Sequence, residues 1–156
     1  MDTGNARGLF LVYNVSTIAL MLTMSIYSSY LSWWWQNVDP SPYLEYNEWK
    51  DYYIGFLIMT ILGIILLIWS LIVFISFLLG GRLFWPGVSK YLNFSLFVHI
   101  VFLVIPLLTM WIGKVIDARF IVWIIWTLVN VIMGMFLIGY FNQRAETTAA
   151  LVDVQI

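Results

Sequence analysis

The sequence predicts an all-α integral membrane protein, a bundle of four transmembrane helices that forms a single domain over residues 1–156. Hydrophobic residues make up 63% of the chain and charged residues 10%, whereas roughly a quarter of the residues in soluble domains are charged. The hydrophobic residues fall into four runs, each long enough as a helix to cross a hydrocarbon layer about 30 Å thick. We place the spans at about residues 9–32, 54–79, 92–112 and 120–141, with a polar tail over 142–156.

The composition excludes several kinds of chemistry. Seven basic and eight acidic residues form no clustered basic patch for nucleic acid, and the absence of cysteine removes disulfides, thiolate metal sites and thiol redox reactions. A single histidine cannot supply both axial ligands of a bis-histidine haem, and no acidic residue lies inside a span to hold a di-iron centre. We therefore expect a protein that is not an enzyme and that binds no metal or other cofactor.

The first span carries a stripe of small and polar residues along one helical face. Its members follow one another at intervals of three or four residues: Asn14, Thr17, Met21, Ser25, Ser28 and Ser32. Such a stripe is typical of helix packing in membranes, where small and hydroxyl side chains allow two backbones to approach closely. The alternative is a polar conduit, which is less favoured because the stripe carries no charged residue.

The central segment, residues 33–53, joins the first two spans and is rich in aromatic and acidic residues. Its Ser41-Pro42 pair is a typical helix start, so we predict a short, aromatic-rich interfacial helix from Tyr43. An aromatic belt at the membrane surface accounts for this composition, and a docking face for a partner protein is the functional alternative. The candidate partner-binding residues are Trp33, Trp34, Trp35, Tyr43, Tyr46, Trp49 and Tyr53. A third interpretation is cation binding by four carboxylates that match no calcium-loop spacing: Asp39, Glu45, Glu48 and Asp51.

The second span, between the central segment and a glycine-rich turn, contains no charged residue. Its small positions are suited to close contact with another helix: Gly55, Gly63 and Ser70.

The third span contains the only histidine of the chain, His99, and the only proline inside a span, Pro106. Proline lacks an N–H and displaces the carbonyl one turn earlier, which predicts a kink near Phe102. Since His99 lies on roughly the same face as Pro106, this region is the best candidate for an intramembrane site. We expect the imidazole to form a hydrogen bond to Asn130 or Thr127 of a neighbouring helix, and a functional ligand is the alternative.

The fourth span has its own packing seam of polar and small residues: Thr127, Asn130 and Gly134. The chain then ends in Val154-Gln155-Ile156, an apolar-x-apolar sequence at a free carboxylate. Peptide-binding domains accept such an ending as an added β-strand, so a contact of this kind at the C-terminus is one expectation.

Four spans place both termini on the same side of the membrane. Four basic residues lie on the side of the termini (Arg7, Arg82, Lys90 and Arg144), and three lie on the other side (Lys50, Lys114 and Arg119). The positive-inside rule therefore favours cytoplasmic termini by a small margin.

The leading functional hypothesis is a non-catalytic accessory or scaffolding subunit of a larger membrane protein complex. It would dock onto other membrane subunits through its apolar helix faces and the central segment. The alternative is a homo-oligomeric channel or small transporter, lined by the stripe of the first span and the region around His99 and Asn130. A lipid- or pigment-binding protein that uses the Pro106 kink is a third possibility. The intramembrane polar candidates are Asn14, Thr17, Ser25, Ser28, His99 and Asn130.

Overall fold

The structure is a computed structural model that describes residues 3–37, 50–80, 87–113 and 118–153. These residues form four α-helices: α1 (Thr3–Asn37), α2 (Lys50–Gly80), α3 (Val88–Gly113) and α4 (Ala118–Asp153). All four are long and apolar enough to cross a membrane, which confirms the helical architecture and the number of candidate spans predicted from the sequence. The interfacial helix predicted from Tyr43 stays a prediction, because residues 43–49 lie outside the described residues and residues 50–53 form the first turn of α2.

Two of the helices extend well beyond the predicted spans. Helix α1 begins at Thr3 and ends at Asn37, and α4 continues to Asp153 through most of the predicted polar tail. At about 1.5 Å per residue, α4 is roughly 54 Å long, more than the roughly 30 Å of a hydrocarbon core. In a bilayer, part of α4 therefore reaches into the headgroup layer and the water beyond it.

The helices are packed as a ring of four in chain order. The contact between α1 and α2 is the most extensive, followed by α3 with α4, and smaller contacts join α1 to α4 and α2 to α3. Hydrogen bonds from Ser28 to Thr60 and from Ser32 to the Tyr53 carbonyl show that α1 and α2 are antiparallel. We call the end of the bundle where α1 begins and α4 ends the terminal-side end, and the opposite end the loop-side end.

The bundle is apolar outside and partly polar inside. Helix α2 exposes isoleucine and leucine side chains along its length, whereas Gly63 and Ser70 are buried. A Cβ atom at Gly63 would collide with the Ser25 hydroxyl of α1, so the glycine is what allows these two helices to approach. On α4, a Cβ atom at Gly134 would lie 3.3 Å from the ring of Tyr13. Small residues thus set the distance between helices, as expected in lipid.

Helix α3 continues without interruption through Pro106, which is buried. The kink expected near Phe102 stays a prediction. Pro106 lies in a closely packed set of side chains that leaves no room for a water molecule, and the other described residues of this set are Met24, Tyr27, Ser28, Leu31, Phe56, Met59, Phe120 and Trp123.

Candidate functional site

The most distinctive feature of the interior is a set of hydrogen-bonded side chains in the terminal-side half, which we call the polar core. All four helices contribute to it: Tyr13, Asn14 and Ser16 from α1, Ser70 from α2, Tyr91, Ser95 and His99 from α3, and Trp126 and Asn130 from α4. Seven of the nine side chains are buried, and only Ser16 and Trp126 are partly exposed.

One branch of the polar core links α4, α1 and α3. The indole Nε1 of Trp126 donates to the Ser16 hydroxyl at 2.8 Å, and this hydroxyl donates to Oδ1 of Asn130 at 2.7 Å. The Asn130 amide nitrogen then donates to Nε2 of His99 at 3.1 Å, and Nδ1 of His99 donates to the backbone carbonyl of Ser95 at 2.6 Å. Because an amide nitrogen can only donate, the imidazole is neutral here, with its proton on Nδ1.

A second branch joins α1 to α2 and α3. The amide nitrogen of Asn14 donates to the Tyr91 hydroxyl at 2.8 Å and to the Ser70 carbonyl at 3.3 Å, while the Ser70 and Tyr91 hydroxyls lie 3.0 Å apart. The Tyr13 hydroxyl is 2.5 Å from the Ser95 hydroxyl. These tyrosines span the diagonal of the bundle between α1 and α3, so the polar core connects helices that do not pack directly against each other.

Some buried polar atoms have no hydrogen-bond partner within the described part of the chain. They are Oδ1 of Asn14, Oγ1 of Thr17, Oγ of Ser25 and Oγ1 of Thr127. An unsatisfied buried polar group costs about 1–3 kcal/mol, so these atoms offset part of the stabilisation that the hydrogen bonds of the interior provide. At Ser25 the small size of the side chain has an evident use, because it faces the backbone of Gly63.

The loop-side half of the interior is aromatic. The rings of Tyr27 and Trp123 lie 4.5 Å apart between centroids, and Phe56 stacks on Phe120 with 6.3 Å between centroids and 6° between planes. The guanidinium of Arg119 lies 5.1 Å from the centre of the Tyr27 ring. This half of the bundle thus combines ring packing with the two hydrogen bonds between α1 and α2, whereas the terminal-side half combines the polar core with ring contacts such as that of Phe10 and Phe77, whose centroids lie 5.7 Å apart.

The predicted partner-binding residues of the central segment are only partly described. Trp33 and Trp34 lie in the last turns of α1 with exposed side chains, and Trp35 is helical although its side chain is not described. Tyr53 is half-buried in the first turn of α2, and its carbonyl accepts a hydrogen bond from Ser32 at 3.3 Å. Three further candidates lie outside the described residues: Tyr43, Tyr46 and Trp49.

The predicted intramembrane residues are all buried: Asn14, Thr17, Ser25, Ser28, His99 and Asn130. The hydrogen bond between His99 and Asn130 is one that the sequence predicted, and Thr127 does not take part in it. Sequence reasoning missed five members of the polar core: Tyr13, Ser16, Tyr91, Ser95 and Trp126. Helical spacing marked four of them. Tyr13, Ser95 and Trp126 each lie four residues before a predicted polar position. Tyr91 in turn lies four residues before Ser95.

Ser95 and His99 are the pair of the polar core that most resembles a nucleophile and its base. Ser95 Oγ is 3.4 Å from Nδ1 of His99, but the proton on Nδ1 already points to the Ser95 carbonyl, so this nitrogen cannot accept the hydroxyl proton. Within residues 3–37, 50–80, 87–113 and 118–153, no three histidine or acidic side chains converge on a possible metal position.

Comparison with models of protein families, with curated proteins and with solved structures finds no match. Function must therefore be inferred from the residues of this chain.

Proposed function

We propose that the protein is a non-catalytic accessory or scaffolding subunit of a larger membrane protein complex. The observation that carries this proposal is the closed polar core. Its side chains bond to one another across all four helices, and His99 and Asn130 have no exposed surface. Polar groups used in this way hold the bundle together and are not presented to a ligand, so the surface is left as the place where function resides.

Two parts of that surface suit contact with other membrane subunits. Helix α2 is the least buried of the four in its apolar stretch and presents isoleucine and leucine to its surroundings. At the loop-side end, Trp33 adds an exposed aromatic side chain close to the start of α2, because Ser32 bonds to the Tyr53 carbonyl. Tryptophan is enriched both at membrane interfaces and among the anchor residues of protein interfaces.

The alternative of a channel or small transporter receives less support from the geometry. A conduit along the stripe of α1 requires its hydroxyls to line a path, whereas Ser28 bonds to Thr60 at 2.8 Å and Ser25 packs against Gly63. Asn130 and His99 are likewise bonded to each other. Conduction would therefore need these contacts to open.

The test is native mass spectrometry of the tagged protein, extracted from its own membrane in a mild detergent. We expect other membrane proteins to co-purify in fixed stoichiometry. The Trp33→Ala variant should lose at least part of this association, since it removes the exposed ring at the start of the central segment. Trp111→Ala is the matched control, because Trp111 is 85% exposed at the same end of the bundle but belongs to α3. A clean homo-oligomer with no other chain bound would refute the proposal.

A further inference from the structure

Two polar atoms of α1 that lack a hydrogen-bond partner lie close to each other in the interior of the bundle. Asn14 and Thr17 are three residues apart on one face of the helix, and both side chains are at most 1% exposed. Neither Oδ1 of Asn14 nor the hydroxyl of Thr17 bonds to another group of the described chain. Side chains at this spacing have Cβ atoms about 5–6 Å apart, so both oxygens can reach one point between them.

The surroundings of this pair are hydroxyl groups of the polar core. The amide nitrogen of Asn14 is already used, because it donates to the Tyr91 hydroxyl and to the Ser70 carbonyl. Only the carbonyl oxygen of the Asn14 side chain therefore remains to accept a hydrogen bond. The Thr17 hydroxyl faces the Tyr13 hydroxyl without forming a hydrogen bond to it. Two polar groups that face each other in this way are typically bridged by a water molecule.

The chemistry of the pair selects its occupant. No charged side chain is buried within the described helices, so an ion at this position would have no counter-charge. A water molecule can both donate and accept, and buried waters typically make about three hydrogen bonds. Two hydrogen bonds of about 2.8 Å each also match the spacing of about 5–6 Å between the two side chains.

We propose that the bundle holds one buried water molecule between Asn14 and Thr17. This water donates to Oδ1 of Asn14 and is hydrogen-bonded to the hydroxyls of Thr17 and Tyr13. It joins Thr17 to the polar core and satisfies atoms that the surrounding hydrocarbon cannot satisfy. The site is independent of the proposed contacts with other subunits, because it lies wholly inside one chain.

The first test is the sign of a change in stability. Thr17→Val replaces the hydroxyl by a methyl group of nearly the same shape and takes one partner from the water. In reversible unfolding of the full-length protein in mixed micelles, we expect the ratio of folded to unfolded protein to fall about tenfold, which corresponds to about 1.4 kcal/mol.

Thr127→Val is the matched control. The Thr127 side chain is also fully buried and its hydroxyl also lacks a partner, but no second unpartnered polar side chain of the described part of α4 lies near it in sequence. Removing a buried hydroxyl that has no partner relieves a desolvation penalty, so this variant should be as stable as the wild type or more stable.

The second test detects the water directly by infrared difference spectroscopy of the protein in liposomes, with ordinary water exchanged for water that carries oxygen-18. An isolated buried water gives a sharp O–H stretching band that shifts with the isotope. We expect this band in the wild type, in Thr127→Val and in Thr17→Ser, which keeps the hydroxyl. Thr17→Val should lose it.

Three results would overturn the inference. A Thr17→Val variant as stable as Thr127→Val would show that the Thr17 hydroxyl has no partner to lose. An isotope-sensitive band that persists in Thr17→Val would place the water elsewhere. Loss of stability in Thr17→Val without any such band in the wild type would assign the Thr17 hydroxyl to a direct bond with Tyr13, and the water site would be wrong.

Discussion

Asn130 is the residue at which the polar core is most easily tested. Its amide bonds to Ser16 of α1 and to His99 of α3, so Asn130→Ala removes two interhelical hydrogen bonds at once. It also leaves Nε2 of His99 buried without its donor. The change should therefore weaken the attachment of α4 to both neighbours without altering the outer surface.

The expected loss of stability can be worked out from these two bonds. Interhelical hydrogen bonds in membranes average about 0.6 kcal/mol and reach about 1.7, so two of them give about 1–3 kcal/mol. Asn93→Ala is the control, since Asn93 is an exposed asparagine on α3, and surface changes of this kind usually stay within about 0.5 kcal/mol. Combined with Ser16→Ala in a double-mutant cycle, Asn130→Ala should show a coupling energy of about 0.6 kcal/mol.

The assay is reversible unfolding in mixed micelles, with the fraction of denaturing detergent increased stepwise and helicity followed by circular dichroism. Each variant gives a free energy of unfolding, and the four corners of the cycle give the coupling between Ser16 and Asn130. The reasoning would be refuted by an Asn130→Ala variant as stable as Asn93→Ala, or by a coupling energy indistinguishable from zero.

Two further predictions concern helix approach and topology. Gly63→Val should destabilise the bundle by about 1–3 kcal/mol through overpacking, and adding Ser25→Ala should restore part of that loss in the same unfolding assay, because the hydroxyl in collision is gone. Equal stability of the single and double variants would contradict this account. In a chain without native cysteine, Thr147→Cys and Gln36→Cys should react with a membrane-impermeant maleimide from opposite sides of sealed vesicles, with Thr147 on the cytoplasmic side. Labelling of both cysteines from the same side would contradict this topology, because three crossings, those of α2, α3 and α4, separate Gln36 from Thr147.

The fold was predictable because the number of helices depends on the length and apolar composition of successive stretches of the chain. Length and apolar composition predict four helices, and the interval of three or four residues between Asn14, Thr17, Met21, Ser25 and Ser28 correctly marked a buried face of α1. The ends of the helices were not predictable in the same way. Helix α4 runs on to Asp153 because alanine, glutamine, arginine and glutamate favour the helix even after the apolar stretch has ended.

The partners inside the bundle were harder to predict, because they depend on which helices are neighbours and on their relative height. His99 and Asn130 could be paired, since both are rare polar residues inside apolar spans. The hydrogen bonds of Tyr13 with Ser95 and of Asn14 with Tyr91 cross the diagonal between α1 and α3. No spacing within a single helix reveals such a pair.

The polar core also has a consequence for assembly in lipid. The outer surface of these helices is rich in isoleucine and leucine, whereas the described core is largely aromatic rings, methionine and leucine, with glycines at two close helix contacts. If one helix slid along another by a turn, these rings and glycines would lose their partners. Such a slip moves the helix by about 5.4 Å, which is enough to separate Asn130 from His99 beyond any hydrogen bond. The register of the bundle is therefore specified twice, once by the ring pairs and close glycine contacts and once by the hydrogen bonds of the polar core.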